Sequence, residues 1–391
     1  MWRIIVAELI ILCAIVGALY ARSRPHILRS DPQVYVTTIR SPRCDGYHCI
    51  SAIAFDDHDG QLYAIDEASQ EVVRISTRGD EVPIAGAYYV AFPQSEAPCV
   101  RRDGRGPAAR FCNPSGLAFD RATNSFLIAD TDNDAVRRVT PDGEVSTVAF
   151  GDQKLCSHFL YSESHVCKPR TVAINPKRSD IYVIQGSAIM RINRAGVQVL
   201  AGADPLGWSV AGCAGRDGSG RSAIYCHLDG LAVAPQGSAL YVSEQDSDVV
   251  HRITLDGTST VFSGQRLANP SGFFPPFIPA LPHWLQFLKY YPCSMIDGVR
   301  AAATYCEPTD LGMDDLTNTL YVADVRSIRA DNSSGDVSTV VAPSYSEECV
   351  PADGNAQRAR VCGSQSLTLD QRGRALYTLD EDSAIRRVTI P

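Results

Sequence analysis

Between residues 113 and 148 the chain reads Asn113-Pro-Ser-Gly-Leu-Ala-Phe-Asp120, then Phe126-Leu-Ile-Ala-Asp130, then Ala135-Val-Arg-Arg-Val139, then Asp142-Gly-Glu-Val-Ser-Thr-Val148. Each segment is a short alternating or apolar run, and glycine, proline, asparagine or aspartate bounds it. Such runs between turn residues are typical of short β-strands. The stretch therefore predicts a unit of four antiparallel strands.

The same unit recurs along the whole chain. Its second strand is the easiest to recognise, because it ends in an acidic residue or a glutamine each time. The copies are Leu62-Tyr-Ala-Ile-Asp66, Phe126-Leu-Ile-Ala-Asp130, Ile181-Tyr-Val-Ile-Gln185, Leu240-Tyr-Val-Ser-Glu244, Leu320-Tyr-Val-Ala-Asp324 and Leu376-Tyr-Thr-Leu-Asp380. Six copies of a four-stranded unit predict an all-β fold, a six-bladed β-propeller.

The two ends of the chain are expected to complete one blade together. The sixth unit stops at Ile385-Arg-Arg-Val-Thr-Ile-Pro391, after its third strand. The missing fourth strand has a counterpart in Asp31-Pro-Gln-Val-Tyr-Val-Thr-Thr38, near the other end. An N-terminal strand in the last blade would close the ring and leave no exposed sheet edge there.

Twelve of the thirteen cysteines form six short pairs, one before each unit: Cys44/Cys49, Cys99/Cys112, Cys156/Cys167, Cys213/Cys226, Cys293/Cys306 and Cys349/Cys362. This recurrence predicts one disulfide in each connector, worth up to about 3 kcal/mol apiece. So many disulfides place the chain in an oxidising compartment. Zinc is the alternative for Cys156 and Cys167, because His158 and His165 accompany them.

Residues 1–24 have the composition of a targeting segment. Residues 4–20 are apolar except for Glu8, and their length lies between that of a signal-peptide core and that of a membrane-spanning helix. We expect either a cleaved signal peptide or an uncleaved N-terminal membrane anchor. Both place the remaining chain in the secretory pathway, secreted or attached to the outer face of a membrane.

The repeat resembles the NHL repeat, a family of six-bladed propellers. The family pattern consists of a connector and four strands with turns between them. Here the connector is matched by Asp103-Gly-Arg-Gly-Pro-Ala-Ala-Arg-Phe111, and the strands and turns by residues 113–120, 126–130, 133–139 and 143–148. The resemblance covers residues 31–391. It departs at the short connector of blade 1, at Gln185 in blade 3, and at a long insert in blade 4. A disulfide in every connector is not a general feature of the family.

Residues that recur in every blade are expected to serve the fold, whereas function should lie in what occurs once. Two recurring sets are the acids that end the second strands, Asp66, Asp130, Glu244, Asp324 and Asp380, and one arginine in each third strand, Arg74, Arg138, Arg191, Arg252, Arg329 and Arg387. We expect these sets to pair and to lock neighbouring strands. The connector Asp-Gly pairs are interpreted as turns, with calcium binding as the alternative.

The insert of blade 4, residues 265–292, is the most distinctive segment. It carries the aromatic residues Phe273, Phe274, Phe277, Trp284 and Phe287 among many prolines. An aromatic surface segment packs against its own domain or offers anchors to a partner. We expect a lid, a protein contact surface or a lipid contact.

The chain has one glycosylation sequon, Asn332-Ser-Ser334, in a predicted turn between third and fourth strands. Propeller geometry places this turn on one face of the ring. The connectors and their disulfides lie on the other face, which we call the disulfide face. A glycan at Asn332 would leave the disulfide face open.

The leading functional hypothesis is an extracellular recognition propeller that binds a protein or a glycan through the disulfide face. The alternative, implied by other propellers that this one resembles, is a metal-dependent lactonase, hydrolase or amidating lyase with its site in the central channel. No catalytic or cofactor-binding residues are identified. Asp229 and Asp310 are the metal candidates near the channel mouth. The net charge of −8 and the lack of a basic patch argue against nucleic acid.

Overall fold

The computed structural model describes residues 33–40, 49–76, 78–87, 100–152, 156, 164–202, 215–266, 295–343 and 349–390. Within these residues the strands form six antiparallel sheets. The first strands of consecutive blades contact one another around a central channel, and the first strand of blade 6 contacts that of blade 1. The predicted six-bladed β-propeller is confirmed.

Each blade has four long strands. Blade 1 has Ile50–Asp56, Gln61–Asp66, Glu71–Ile75 and Glu81–Gly86; blade 2 has Pro114–Asp120, Ser125–Asp130, Ala135–Val139 and Glu144–Phe150; blade 3 has Thr171–Ile174, Ile181–Gln185, Ala188–Asn193 and Gly196–Ala201. Blade 4 has Leu228–Val233, Ala239–Glu244, Val249–Thr254 and Thr258–Gly264; blade 5 has Pro308–Asp314, Thr319–Asp324, Ser327–Asp331 and Asp336–Val341; blade 6 has Ser366–Asp370, Ala375–Leu379, Ile385–Thr389 and Tyr35–Arg40.

Four blades gain a short fifth strand from the connector that precedes them. These strands pair with the outermost strands of blades 2, 4, 5 and 6 and are Gly104–Arg105, Gly218–Ser219, Gly298–Val299 and Gly354–Asn355. Single turns of 3-10 helix occur at Gly106–Ala108, Thr131–Asn133, Gly220–Ser222, Pro235–Gly237, Gln245–Ser247 and Arg300–Ala302. Each of these four connectors thus reaches the outer edge of its blade before the chain returns to the channel.

Both ends of the described chain meet in blade 6. Tyr35–Arg40 pairs antiparallel with Ile385–Thr389, with Val36 opposite Val388 and Thr37 opposite Arg387. The fourth strand of the last blade therefore comes from the N-terminal side, as predicted. The pairing ties the ring shut and satisfies a sheet edge that would otherwise be exposed.

The core lies between neighbouring blades. One cluster combines Ile65 and Val72 of blade 1 with Ile128 and Val139 of blade 2, all of them buried. Alternating strand residues supply these contacts, since successive side chains point to opposite faces of a sheet. No helix in the described part of the chain is long and apolar enough to cross a membrane. The targeting segment, residues 1–24, lies outside the described residues.

The connectors carry disulfides. Cys156 is bonded to Cys167 and Cys349 to Cys362. Cysteines 49, 112, 226 and 306 are also disulfide-bonded, and their expected partners lie outside the described residues. The bond between Cys156 and Cys167 leaves neither thiolate free for zinc, so the disulfide interpretation is the right one there.

Candidate functional site

The acids that end the second strands hold the connectors in place. Each accepts a hydrogen bond from the backbone N–H of the second cysteine in its own blade: Asp66 from Cys49 (3.1 Å), Asp130 from Cys112 (2.7 Å), Glu244 from Cys226 (2.6 Å), Asp324 from Cys306 (2.6 Å), and Asp380 from Cys362. In blade 3 the amide oxygen of Gln185 does the same for Cys167, at 2.7 Å. One buried acceptor therefore fixes the base of each disulfide loop, and this set belongs to the scaffold.

A basic residue of the third strand bridges this acid to the connector aspartate. In blade 2 the guanidinium of Arg137 lies 2.7 Å from both Asp130 and Asp103. The Asp103 side chain also accepts from the backbone N–H and the hydroxyl of Thr147 in the outermost strand. The aspartate of the Asp-Gly pair is thus a tie between connector, third strand and fourth strand.

The same bridge is found in blades 5 and 6. Arg329 lies between Asp324 (3.2 Å) and Asp297 (2.8 Å). Burial raises the pKa of Asp324 to about 7 even with this guanidinium beside it. In blade 6, Arg386 lies between Asp380 (2.6 Å) and Asp353 (3.0 Å).

The predicted set of third-strand arginines was therefore mostly wrong. Of its members, Arg329 is the one that pairs with a strand-end acid in the described structure. Arg138 pairs instead with Asp120, at 2.8 Å, at the other end of its blade. Neighbouring strand residues point to opposite faces, so a shift of one position exchanges the buried residue for the outward one.

Blade 4 replaces the arginine by His251, which is fully buried. His251 Nε2 lies 2.7 Å from Glu244, and Nδ1 lies 3.6 Å from Asp217. Burial acts to raise the pKa of Glu244, but the hydrogen bond with His251 and its charge hold that pKa below its usual value. Arg266, at the start of the insert, supplies a guanidinium 3.1 Å from Asp217. The aromatic residues predicted as a partner surface, Phe273, Phe274, Phe277, Trp284 and Phe287, lie outside the described residues.

Gln185 in blade 3 has a physical explanation. The third-strand position that Arg137 occupies in blade 2 is Met190 in blade 3, because both lie opposite the residue two before the end of the second strand. A buried carboxylate without a cation is costly. Glutamine keeps the acceptor for the cysteine N–H without the charge.

The channel contains a cavity of about 410 Å³, lined by the first strands of all the blades. At the face opposite the disulfides, Arg121 of blade 2 pairs with Asp57 of blade 1, and its Nη1 lies 2.9 Å from Asp315 of blade 5. Blade 5 stands across the ring from blade 2. Arg121 thus obstructs this end of the channel, and the disulfide face offers the other entrance.

Charged residues gather at that entrance. Arg170 Nη2 lies 3.2 Å from Asp229, and Arg170 Nη1 lies 3.1 Å from His227. Burial raises the pKa of Asp229, against the opposing effect of Arg170. Asp310 lines the same cavity in the next blade, and burial, with the nearby charge of Asp229, raises its pKa to about 7.

The structure brings the two metal candidates, Asp229 and Asp310, to neighbouring first strands of one cavity. The surroundings do not suit a divalent ion, since the guanidinium of Arg170 already occupies the carboxylate of Asp229. The described residues contain no group of three histidine, cysteine or acidic side chains placed to hold a metal. Arg121 and Arg170 were missed from the sequence, because both pair with residues of other blades that lie 59 or more positions away in the chain.

Asn332 lies where it was expected. It is exposed in the turn between the third and fourth strands of blade 5, on the face opposite the disulfides. Its Nδ2, the atom that a glycan would modify, lies 3.0 Å from Asp336.

Solved structures with this fold are numerous, and their sequences are distant. An auxiliary nutrient binding protein from Bacteroides thetaiotaomicron has a TM-score of 0.58 and 13% identity, with 91% of this chain and 76% of that chain covered. A gluconolactonase from Xanthomonas campestris has a TM-score of 0.53 and 13% identity, with 91% and 89% covered. At these identities the likeness shows the fold alone.

Sequence comparison is more specific. Teneurin-3 of Mus musculus is 24% identical over 395 residues, which cover 93% of this chain and 14% of the relative. Teneurin-4 of Homo sapiens is 26% identical over 296 residues, which cover 68% of this chain and 10% of the relative. The chain thus spans a small part of the length of these relatives. The family model described as the teneurin NHL domain matches residues 3–269, which confirms the resemblance to NHL repeats. The chain belongs to the teneurin NHL domain family.

Proposed function

We propose that this chain is an extracellular recognition module that binds a protein partner through its disulfide face. The disulfides support an oxidising compartment, reached through the targeting segment in residues 1–24. The family supports a propeller that forms part of a larger surface assembly. Secretion and membrane anchoring through residues 4–20 remain the two forms of this proposal.

The observation that carries the proposal is that contacts within and between blades hold the described residues of one face in place. Every connector is tied at its second cysteine to a buried acceptor, as described above. Neighbouring blades are also tied there, since Asp134 accepts from the N–H of Lys168 (2.9 Å) and Asp248 from that of Glu307 (2.8 Å). Loops that are already ordered lose little entropy on binding. Such rigidity suits a recognition surface.

The charge of the face indicates the chemistry of the partner. The turns and connectors of this face carry exposed carboxylates, Glu67, Asp246, Glu307 and Glu381, and exposed cations, Arg102, Lys168, Arg216 and Arg360. Complementary charge steers association and excludes wrong partners. We therefore favour a protein partner whose contact surface carries charges of both signs, and a glycan is the other outcome of the test.

Glycans introduced at new sequons on the two faces, which we call glycan wedges, test the proposal. Glu67→Asn creates the sequon Asn-Ala-Ser on an exposed turn of the disulfide face. Gln236→Asn creates Asn-Gly-Ser on an exposed turn of the opposite face, at a left-handed residue where asparagine is well tolerated. The two variants therefore carry matched glycans on different faces.

Residues 25–391 would be secreted behind a heterologous signal peptide, tetramerised, and tested for binding to a panel of cell lines. Binding that the Glu67→Asn glycan abolishes and the Gln236→Asn glycan spares supports the proposal. Sensitivity to protease treatment of the cells identifies a protein partner, and sensitivity to glycosidase identifies a glycan. Equal effects of the two glycans, or no binding to any cell, would refute it.

The enzyme alternative draws on the channel cavity. A metal-dependent site there would use Asp229 and Asp310, and the pairing of Asp229 with Arg170 opposes it. Metal analysis of the purified propeller, with a lactone and an amide substrate panel, decides between the two functions.

A further inference from the structure

Asp310 carries a charge at a first-strand position where the other blades have uncharged residues. Four equivalent positions in the other first strands lie opposite the same point of the second strand, and they hold small uncharged residues: Ala52, Gly116, Thr171 and Ser366. Blade 4 has Gly230 there, just before Leu231, and its N–H donates to the hydroxyl of Ser243. Asp310 lies opposite Ala323 in the corresponding pairing. Blade 5 therefore carries a negative charge that no other blade has at this level of the channel.

The structural role of this position does not require a charge. Asp310 joins blades 5 and 6, because its carboxylate accepts from the N–H of Leu367 at 2.7 Å and from the hydroxyl of Ser366. It also accepts from the N–H of Leu311 in its own strand, at 2.8 Å. Ser366 makes the corresponding link with a hydroxyl, which accepts from the N–H of Ile53. Thr171 links blades 3 and 4 through its hydroxyl, 2.7 Å from the carbonyl oxygen of Asp229. A hydroxyl thus suffices for the contact between blades.

The charge of Asp310 also lacks a counter-charge. No lysine or arginine of the described chain lies within ion-pair distance of it, whereas Asp229 beside it has Arg170. Protein surrounds Asp310, yet part of its surface stays accessible from the cavity. A buried carboxylate without a cation is unfavourable, and an incoming cation would relieve this cost.

The cavity has a second unused group. Ser51, which lines the cavity, has a buried hydroxyl without a hydrogen-bond partner in the described structure. Elsewhere the walls of this cavity combine small residues with the apolar residues Leu311 and Leu367, which are mostly buried between blades. Such walls accept methylene groups, while Asp310 and Ser51 offer acceptors for N–H groups.

We propose that the channel entrance on the disulfide face binds the ammonium or guanidinium group of a lysine or arginine side chain, which pairs with Asp310. This inference rests on the proposed function and names the chemistry that a protein partner would insert into the channel. One guanidinium and two carboxylates are already present, so a single positive charge balances the site. A divalent ion would exceed that balance and would face Arg170.

Small probes test the inference without the partner. N-acetyl-arginine methylamide and N-acetyl-lysine methylamide are titrated into the propeller, residues 25–391, and binding is followed by NMR. N-acetyl-citrulline methylamide is the uncharged control of nearly the same shape. We expect millimolar binding of the two cations and at least tenfold weaker binding of the citrulline probe.

Two variants locate the site. Asp310→Thr copies Thr171 of blade 3, keeps a hydroxyl for the contact between blades, and should weaken both cationic probes at least tenfold. Glu144→Gln removes one charge from an exposed residue of the outermost strand of blade 2, away from the channel, and should leave binding unchanged. Acidification from pH 8 to pH 6 should weaken binding to the parent more than to Asp310→Thr, in which Asp229, Arg170 and His227 still face the entrance.

Equal binding of the citrulline and arginine probes would overturn the inference, as would an unchanged affinity in Asp310→Thr. Calcium binding that Asp310→Thr abolishes, without binding of the organic cations, would also overturn it in favour of a metal. If the probes bind as expected while the glycan wedges have equal effects, the channel site stands and the proposed function fails. If the wedges behave as expected and Asp310→Thr leaves the probes unaffected, the channel site alone fails.

Discussion

Replacing Tyr305 by phenylalanine should destabilise the propeller by removing one oxygen atom. The hydroxyl of Tyr305 lies 2.7 and 2.6 Å from the two carboxylate oxygens of Asp331 and 2.9 Å from the hydroxyl of Ser263. Tyr305 and Asp331 are fully buried. Losing a hydrogen bond to a buried charged group costs about 1.5–3 kcal/mol. We expect Tyr305→Phe to lower the free energy of unfolding by about 2 kcal/mol on this scale.

Blade 2 supplies the control, because it makes the same contact without polar atoms. Phe111 has the position of Tyr305, just before the second cysteine of the connector. Val139 has the position of Asp331, because each of these two lies opposite the first residue of the apolar run in its second strand. Both belong to one buried apolar cluster. The arginine packs over the ring at similar distances, 5.3 Å for Arg137 and 5.5 Å for Arg329. Removing the hydroxyl therefore leaves the ring contact intact.

The double variant Tyr305→Phe with Asp331→Val copies blade 2. Its stability should stay close to that of the parent, because the double variant removes the buried charge together with its tyrosine donor and leaves the Ser263 hydroxyl without these two partners. Urea unfolding of the parent, both single variants and the double variant gives the coupling energy of the cycle, which we expect at about 2 kcal/mol or more. Additive effects of the two substitutions would refute the reasoning.

The pH dependence gives a second readout of the same cluster. Burial raises the pKa of Asp331 to about 6, above the value of 3.8 that it has when exposed. The folded state therefore binds more protons than the unfolded state between these values. It follows that the contribution of Asp331 lowers the free energy of unfolding as pH rises from about 4 to about 6. Above about pH 6 this contribution no longer changes. The double variant should lack this component, so the difference between variant and parent should grow over that range.

Three further predictions concern Gln185 of blade 3, the glycosylation sequon and the number of disulfides. Gln185→Glu should destabilise the fold by about 2 kcal/mol in urea unfolding, because Met190 offers no cation, and Met190→Arg should restore part of the loss. Asn332 should carry a glycan in mammalian cells, so that glycosidase treatment lowers the mass and Asn332→Gln removes the shift without impairing secretion. Intact mass before and after reduction should show six disulfides, and a count below six would contradict the assignment of one per connector.

Local spacing was sufficient to predict the fold. The recurrence of the second strand gave six blades, and the strand at Tyr35 was recognised as the partner of the last one because its pattern matched a missing element. The acids at the strand ends were placed correctly in the scaffold. The arginine at position 138 was chosen where position 137 makes the bridge, since a run of two arginines does not reveal which of them faces inward.

The channel could be predicted only in part. Asp229 and Asp310 were singled out because they start first strands, and both line the cavity. Arg121 gave no local signal, because its partners are Asp57 and Asp315, one of them on the opposite side of the ring. Contacts across a closed ring depend on the number of blades and their order, which no single repeat contains.

The two faces of the propeller differ in what the acids at their strand ends hold in place. On the face opposite the disulfides, Asp120 and Asp314 cap their own turns by accepting from an N–H two residues later. On the disulfide face, Asp130 and Asp324 accept from a cysteine N–H 18 residues earlier in the chain. A local cap fixes one turn, whereas a distant acceptor fixes the position of a connector relative to its blade. The opposite face also has ties between blades, such as Arg374 with Asp314 at 2.7 Å, but the connectors are fixed on the disulfide face, where Arg266 ties the start of the aromatic insert through Asp217. This fixing of the connectors is the physical reason to look for the partner on the disulfide face.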